Sequence, residues 1–157
     1  MKKSYNDIKA LKSDLKKDIN AVLADEVFNE VRKCELEHLE EDVFSIYEPS
    51  IYERRRTGGL DDENNIIAQV NDGTLTVLNI TQFNPGYGTS NKGVGLAELV
   101  NGGDGAGGYQ YDYPFRIRVP YTEPRKFIDN TITELENTSK LNDALVKGLR
   151  KRGIDAN

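Results

Sequence analysis

The sequence predicts an α+β domain with a long N-terminal helical region, a small, mainly antiparallel β-sheet containing a hairpin, and a C-terminal helix packed on that sheet. Three observations predict it. Apolar residues recur at helical spacing at both ends of the chain. Two β-rich runs flank Asn71-Asp72-Gly73 in the middle. At 157 residues the chain fits one domain that buries a modest core without staples.

In the first region, Ile8, Leu11, Leu15, Ile19, Val22 and Leu23 recur at three- and four-residue steps between Lys9, Lys12, Asp14, Lys16, Lys17 and Asp18. That is the pattern of an amphipathic helix. Val27, Phe28, Val31, Cys34, Leu36 and Leu39 keep similar spacing, so the helix either continues or resumes after a kink near Ala24. Lysines dominate the first turns, while Glu35, Glu37, Glu40, Glu41 and Asp42 crowd the far end. The two poles read as a solvated face or as complementary ends for head-to-tail neighbours.

Pro49 closes this region, and the alternation across Val43 to Tyr52 predicts a short strand or arm. Ile66–Val70 and Thr74–Ile80 then read as strands, and Asp-Gly between them is a strong hairpin signal. Glycine-rich loops follow on either side of the apolar piece Leu96–Val100, and Phe115–Val119 alternates as a further strand. Helical spacing returns from Asn130 or Thr131 through Ile132, Leu135, Leu141, Leu145 and Leu149. Glu134 is expected near its N-terminal cap, and Gly153 is placed to end it. The chain divides into a helical region at 1–42, a β-rich middle at 43–123 and a C-terminal helix and tail at 124–157.

The 26 acidic and 21 basic side chains leave a net charge of −5, so the average field does not attract nucleic acid. The sole cysteine, Cys34, forms no internal disulfide and fits a reducing compartment. Neither a signal peptide nor a transmembrane run is expected, which places the protein in the cytoplasm unless it leaves with an assembly or by lysis.

Catalytic patterns are missing from the sequence. A serine triad would have to use the lone His38, which lies among glutamates with no serine in a nucleophile elbow. Cys34 and His38 share a helix face at i, i+4 and supply two potential metal ligands, but no other cysteine or histidine exists to complete a site. Asp61, Asp62 and Glu63 lack EF-hand spacing and read as a solvated turn, and the glycines from Gly102 to Gly108 lack the Lys-Ser or Lys-Thr of a phosphate loop. No enzyme activity, cofactor or metal is therefore expected. The one basic and aromatic constellation is Tyr47, Tyr52, Arg54, Arg55 and Arg56 with Arg116, Arg118 and Arg125, which suits subunit contacts or, alternatively, a nucleic-acid surface.

Three short segments carry a family resemblance. They are Tyr47–Ile66 with its Arg54-Arg55-Arg56-Thr57-Gly58-Gly59-Leu60 core, Leu96–Gly103 with its apolar-then-glycine pattern, and the Pro-Arg-x-Phe element Pro124–Phe127. As a set and in this order they resemble the HK97 gp10-like group of bacteriophage tail-completion and head–tail joining proteins. The resemblance implies a structural virion protein, assembled in the host bacterial cytoplasm. It would form a ring of copies, often six, at the head-proximal end of the tail. Implied partners are the tail tube, head-side connector proteins and DNA passing through the channel, with no membrane. Tyr47, Tyr52, Arg54, Arg55, Arg125 and Phe127 are the expected interface residues.

Overall fold

The computed structural model describes residues 7–46, 57–82, 95–103 and 124–156. It has the expected α+β class. Helix α1 spans Ile8–Val22 and α2 spans Phe28–His38, joined by a π-helical turn at Leu23–Val27 and followed by another at Leu39–Phe44. Residues 8–44 therefore form one helical rod, about 55 Å long at the usual rise per residue. Asp7 caps it, its carboxylate accepting the Lys9 N–H at 3.0 Å.

Of the two readings of the junction near Ala24, continuation is the one found, through a widened turn rather than a kink. The Phe28 N–H reaches back to the Leu23 carbonyl, five residues earlier. Val22 and Val27 would stand roughly 140° apart on a regular α-helix, and the extra residue in the turn returns both to the buried side. The strand or arm expected from Val43 is overturned over its described part. Val43 and Phe44 lie in the second π-helical turn, and Val43 is buried in the core. Apolar residues next to polar ones satisfy a two-residue alternation here by coincidence, whereas the Ser45 N–H continues the helical bonding to Glu40 at 2.8 Å.

Strands β1 (Ile66–Asn71) and β2 (Thr74–Asn79) pair antiparallel, with Asn71 opposite Thr74 and Ile66 opposite Asn79. Asp72 (φ 53°) and Gly73 (φ 83°) form the two-residue turn in the left-handed geometry that asparagine, aspartate and glycine favour. A lone hairpin is marginal in water. This one is anchored to the rod: Gly73 N–H donates to the Asn20 side chain at 3.1 Å, and Asp72 pairs with Lys16. Ahead of β1, Asp62 caps a short 3₁₀ turn at Glu63–Asn65, accepting the N–H groups of Gly58 at 2.7 Å and Asn64 at 3.0 Å.

Helix α3 (Leu96–Gly102) ends on Gly103, whose positive φ and close approach to Pro124 exclude a side chain. The C-terminal helical spacing resolves into α4 (Phe127–Asn137) and α5 (Lys140–Lys151), rather than one helix from residue 130. Thr138 is extended at the break, and the Ser139 hydroxyl turns to the Asp143 carboxylate at 2.6 Å. The start of α4 is capped by another helix: Asn101 Oδ1 accepts the Ile128 N–H at 2.9 Å. Glu134 consequently sits well inside α4, away from any cap.

Two apolar clusters hold these parts together. Leu39, Val43, Leu60, Ala97, Val100 and Phe127 pack where α3 and α4 meet the rod's end. Val22, Val27 and Ala144 join Leu75 of the hairpin and the leucines of α5 at mid-rod. Among the described residues, no helix is long and apolar enough to cross a membrane. The expected strand at 115–119 and most of both glycine-rich loops lie outside the described residues.

At mid-rod, Glu26 is enclosed and binds Lys151 Nζ at 3.3 Å and Arg152 Nη1 at 3.2 Å. Burial pushes its carboxyl up, but a backbone hydrogen bond and the two cations outweigh this and hold it below the ordinary value of 4.5. A lowered folded-state pKa gives stability that is present above the unfolded value and lost as pH falls through the folded one. Glu26→Gln is therefore expected to lower the denaturation midpoint at neutral pH. Its deficit against the parent chain should shrink as pH drops below about 4.5, which urea titrations at stepped pH measure.

Candidate functional site

Side chains with chemical potential converge where α2 faces α4. Cys34 and His38 project from one face of α2, and Glu134 meets them from α4, a hundred residues later in the chain. The Cys34 thiol donates to Glu134 Oε2 at 3.4 Å, and His38 Nε2 lies 2.8 Å from the same oxygen. Lys140, at the start of α5, pairs with the other carboxylate oxygen, Oε1, and its ammonium also lies 3.8 Å from Glu37. Behind the histidine, Nδ1 faces Asp42 Oδ2 at 3.2 Å and is a buried polar atom with no hydrogen-bonded partner among the described residues. Asn130 holds that Asp42 oxygen from α4 at 2.9 Å.

The electrostatics follow from this arrangement. Hydrogen bonds from Lys140 first, then Cys34 and His38, hold the Glu134 carboxyl down at about 2. Burial, reinforced by the Glu134 charge, pushes the Cys34 thiol up to about 11. Without a further ligand the cysteine is thus a neutral donor rather than a reactive thiolate. Cys34 is fully buried, while His38 and Glu134 retain partial access to solvent.

A second polar group lies about a quarter-turn around α2 from the first. Glu35 is buried and accepts from Asn79 Nδ2 at 3.0 Å, and burial raises its carboxyl pKa. Asn79 also donates to the Leu60 carbonyl, and Thr81 closes the set by donating to Gly59. These bonds fasten the end of the hairpin to the loop that precedes it.

The expected interface residues are only partly placed. Tyr47, Tyr52, Arg54 and Arg55 lie outside the described residues. Arg125 donates from its guanidinium to the Val43 carbonyl at 2.9 Å, capping the end of the rod, while its N–H bonds the Val100 carbonyl at 2.9 Å. Phe127 needs correction. Its ring is wholly enclosed by the chain's own core, so it serves the fold and presents nothing to a neighbour.

Asp61, Asp62 and Glu63 act as the turn expected of them, with Asp62 capping and Glu63 3.6 Å from Arg32. For Cys34 and His38 the sequence showed two ligand-type residues on one helix face and no third. The third group, Glu134, is a carboxylate on another helix, and no spacing rule links it to them. Lys140 was equally invisible as a neighbour of the pair, whereas Asp42 stands one turn beyond His38, a spacing that a helix reading links directly.

The chain has a relative of phage origin. The chain is 31% identical over 118 residues, covering 75% of its own length and 72% of the relative, to the SPbeta prophage-derived uncharacterized protein YomN of Bacillus subtilis (strain 168). It is a phage-associated protein. The YomN family model matches residues 7–151, and the chain belongs to the YomN family. That family, and not the HK97 gp10-like group, is the one that matches. No solved structure matches the chain.

Proposed function

We propose that the protein is a non-enzymatic structural component of a phage virion that completes the tail or joins head to tail. Copies assemble into a ring, with six as the expected number, at the head-proximal end of the tail. The ring contacts the tail tube and the head-side connector, and DNA passes through its channel. Assembly takes place in the host bacterial cytoplasm.

The observation that carries this reading is the uncovered start of α1. Ile8, Leu11 and Leu15 lie on one helical stripe and are 70%, 44% and 41% exposed, whereas the stripe is buried from Val22 onward. A solvent-facing apolar stripe at the tip of a rod is an assembly surface in search of a neighbour. The surrounding lysines and the acidic cluster of Glu40, Glu41 and Asp42 at the rod's far end suit a contact between unlike faces, the kind that closes into rings. Phage kinship supports the same reading.

Gel filtration with mass measurement, followed by electron microscopy of the protein alone and with purified tail tubes, tests it. A ring that decorates tube ends is expected. The double substitution Leu11→Glu, Leu15→Glu should abolish both, with the monomer's thermal stability changing by only about 0.5 kcal/mol because these side chains already face water. A parent protein that stays monomeric and never decorates tube ends overturns the role.

A further inference from the structure

We propose that Cys34, His38 and Glu134 bind a zinc ion. Their ligand atoms all lie within 4.8 Å of one another. The Glu134 oxygen they share is 3.4 Å from the sulfur and 2.8 Å from the imidazole nitrogen. Ligands around a tetrahedral zinc, at bonds of about 2.0–2.3 Å, stand roughly 3.3–3.8 Å apart. Small outward movements of these side chains therefore create the site.

The donor types select the metal. A thiolate with an imidazole favours zinc over magnesium or calcium, which prefer all-oxygen shells. The scaffold is rigid: Cys34 and His38 stand one turn apart on α2, and Glu134 projects from α4, which packs on the rod through buried Phe127, Thr131 and Leu135. Partial exposure of His38 and Glu134 leaves an entry path and a fourth position for water.

The surroundings of the histidine give independent support. Metal-bound histidines commonly direct their other nitrogen at a carboxylate that orients the ring. With Nε2 on zinc, the ring proton resides on Nδ1 and faces Asp42, which Asn130 holds in position. The buried nitrogen, which has no hydrogen-bonded partner among the described residues, thereby acquires a purpose. On binding, the Cys34 S–H bond breaks, its proton passes to solvent and an S–Zn bond forms, with no change of oxidation state. Glu134 ligates through Oε2 and keeps Lys140 on Oε1.

The competing account is a hydrogen-bonded network that needs no metal. Metal-stripped full-length protein titrated with Zn²⁺, and separately with Co²⁺ as a spectroscopic probe, decides between them. One Zn²⁺ per chain is expected, with a rise in Tm of about 5 °C at saturating metal. Co²⁺ should show thiolate charge-transfer absorption and the intense visible bands of tetrahedral coordination. Cys34→Ser should remove the charge-transfer band. His38→Asn, at a partly exposed position less costly to the fold, should weaken Zn²⁺ binding at least about 100-fold. Asp42→Asn, which alters only the orienting carboxylate, should weaken it about 10- to 100-fold with the charge-transfer band retained. Absence of saturable binding, or binding unaffected by both Cys34→Ser and His38→Asn, overturns the proposal.

Discussion

Replacing Phe127 with alanine is expected to cost about 3–5 kcal/mol, enough to leave a domain of this size largely unfolded near body temperature. Phe127 is fully enclosed, and Leu39, Val43, Leu60, Ala97 and Val100 surround it. Those residues come from the rod, the loop before the hairpin and α3, so one ring closes contacts among segments distant in sequence. The backbone around it is committed elsewhere: Arg125 N–H bonds Val100, and Asn101 caps the first turn of α4. The cavity therefore has little freedom to collapse. Urea denaturation followed by circular dichroism measures the loss, and Phe127→Leu should recover most of it. A Phe127→Ala protein with an unchanged midpoint but impaired assembly would return the residue to the interface role it was first given.

Gly148→Ala is expected to destabilise the protein by about 1–3 kcal/mol, although helix propensity alone argues for the opposite sign. In the middle of an exposed helix, alanine improves on glycine by about 0.5–1 kcal/mol. Here α5 crosses the rod so closely that an added Cβ would stand 2.4 Å from Val22 Cγ1 and 2.9 Å from Glu26 Oε2. Val22 is fully buried and β-branched, with one strongly preferred rotamer in a helix, so its methyl yields only at a cost. Steric conflict decides the outcome, and Gly148→Val should exceed alanine's effect. Thermal melts of Gly148→Ala beside an alanine substitution at exposed Asn142 separate the two contributions, since only the former meets the rod.

The architecture was readable wherever local rules dominate. Asp72-Gly73 marks its turn because few residue pairs accept two left-handed conformations, and the register of the hairpin follows from it. The leucine spacing of α5 and the stripe of α1 identify helices, because one-sided burial imposes a 3.6-residue period. What escaped depends on partners far along the chain. Glu134 read as a capping residue from its local spacing, but α4 begins at Phe127, and this turns the carboxylate toward Cys34 and His38. The Thr138-Ser139 break was missed because the spacing on either side is helical, although the six-residue step from Leu135 to Leu141, about 120° out of phase on a continuous helix, marks it. Phe127 resembled an interface anchor for a similar reason: an aromatic beside Pro-Arg looks the same in sequence whether its pocket belongs to the same chain or to another.

The widened turns of the rod also bear on how the chain tolerates change in length. Each accommodates one residue more than a regular helix would, so loss of a single residue from Leu23–Val27 would let the segment relax to α-helical winding without breaking it. The faces would stay in register: with one residue gone, Val27 follows Val22 by four residues, about 40° apart on a regular α-helix, so everything beyond keeps its orientation about the rod axis. Cys34 and His38 would still face α4, and Leu39 and Val43 the pocket around Phe127. A one-residue deletion within the first turn of α2, where there is no extra residue to lose, would instead rotate everything beyond by about 100° and cost both faces at once. The same deletion inside the outlying turns before Asp18 would merely re-aim Ile8, Leu11 and Leu15, giving related chains a simple way to turn the rod's tip toward differently placed neighbours while the body stays intact.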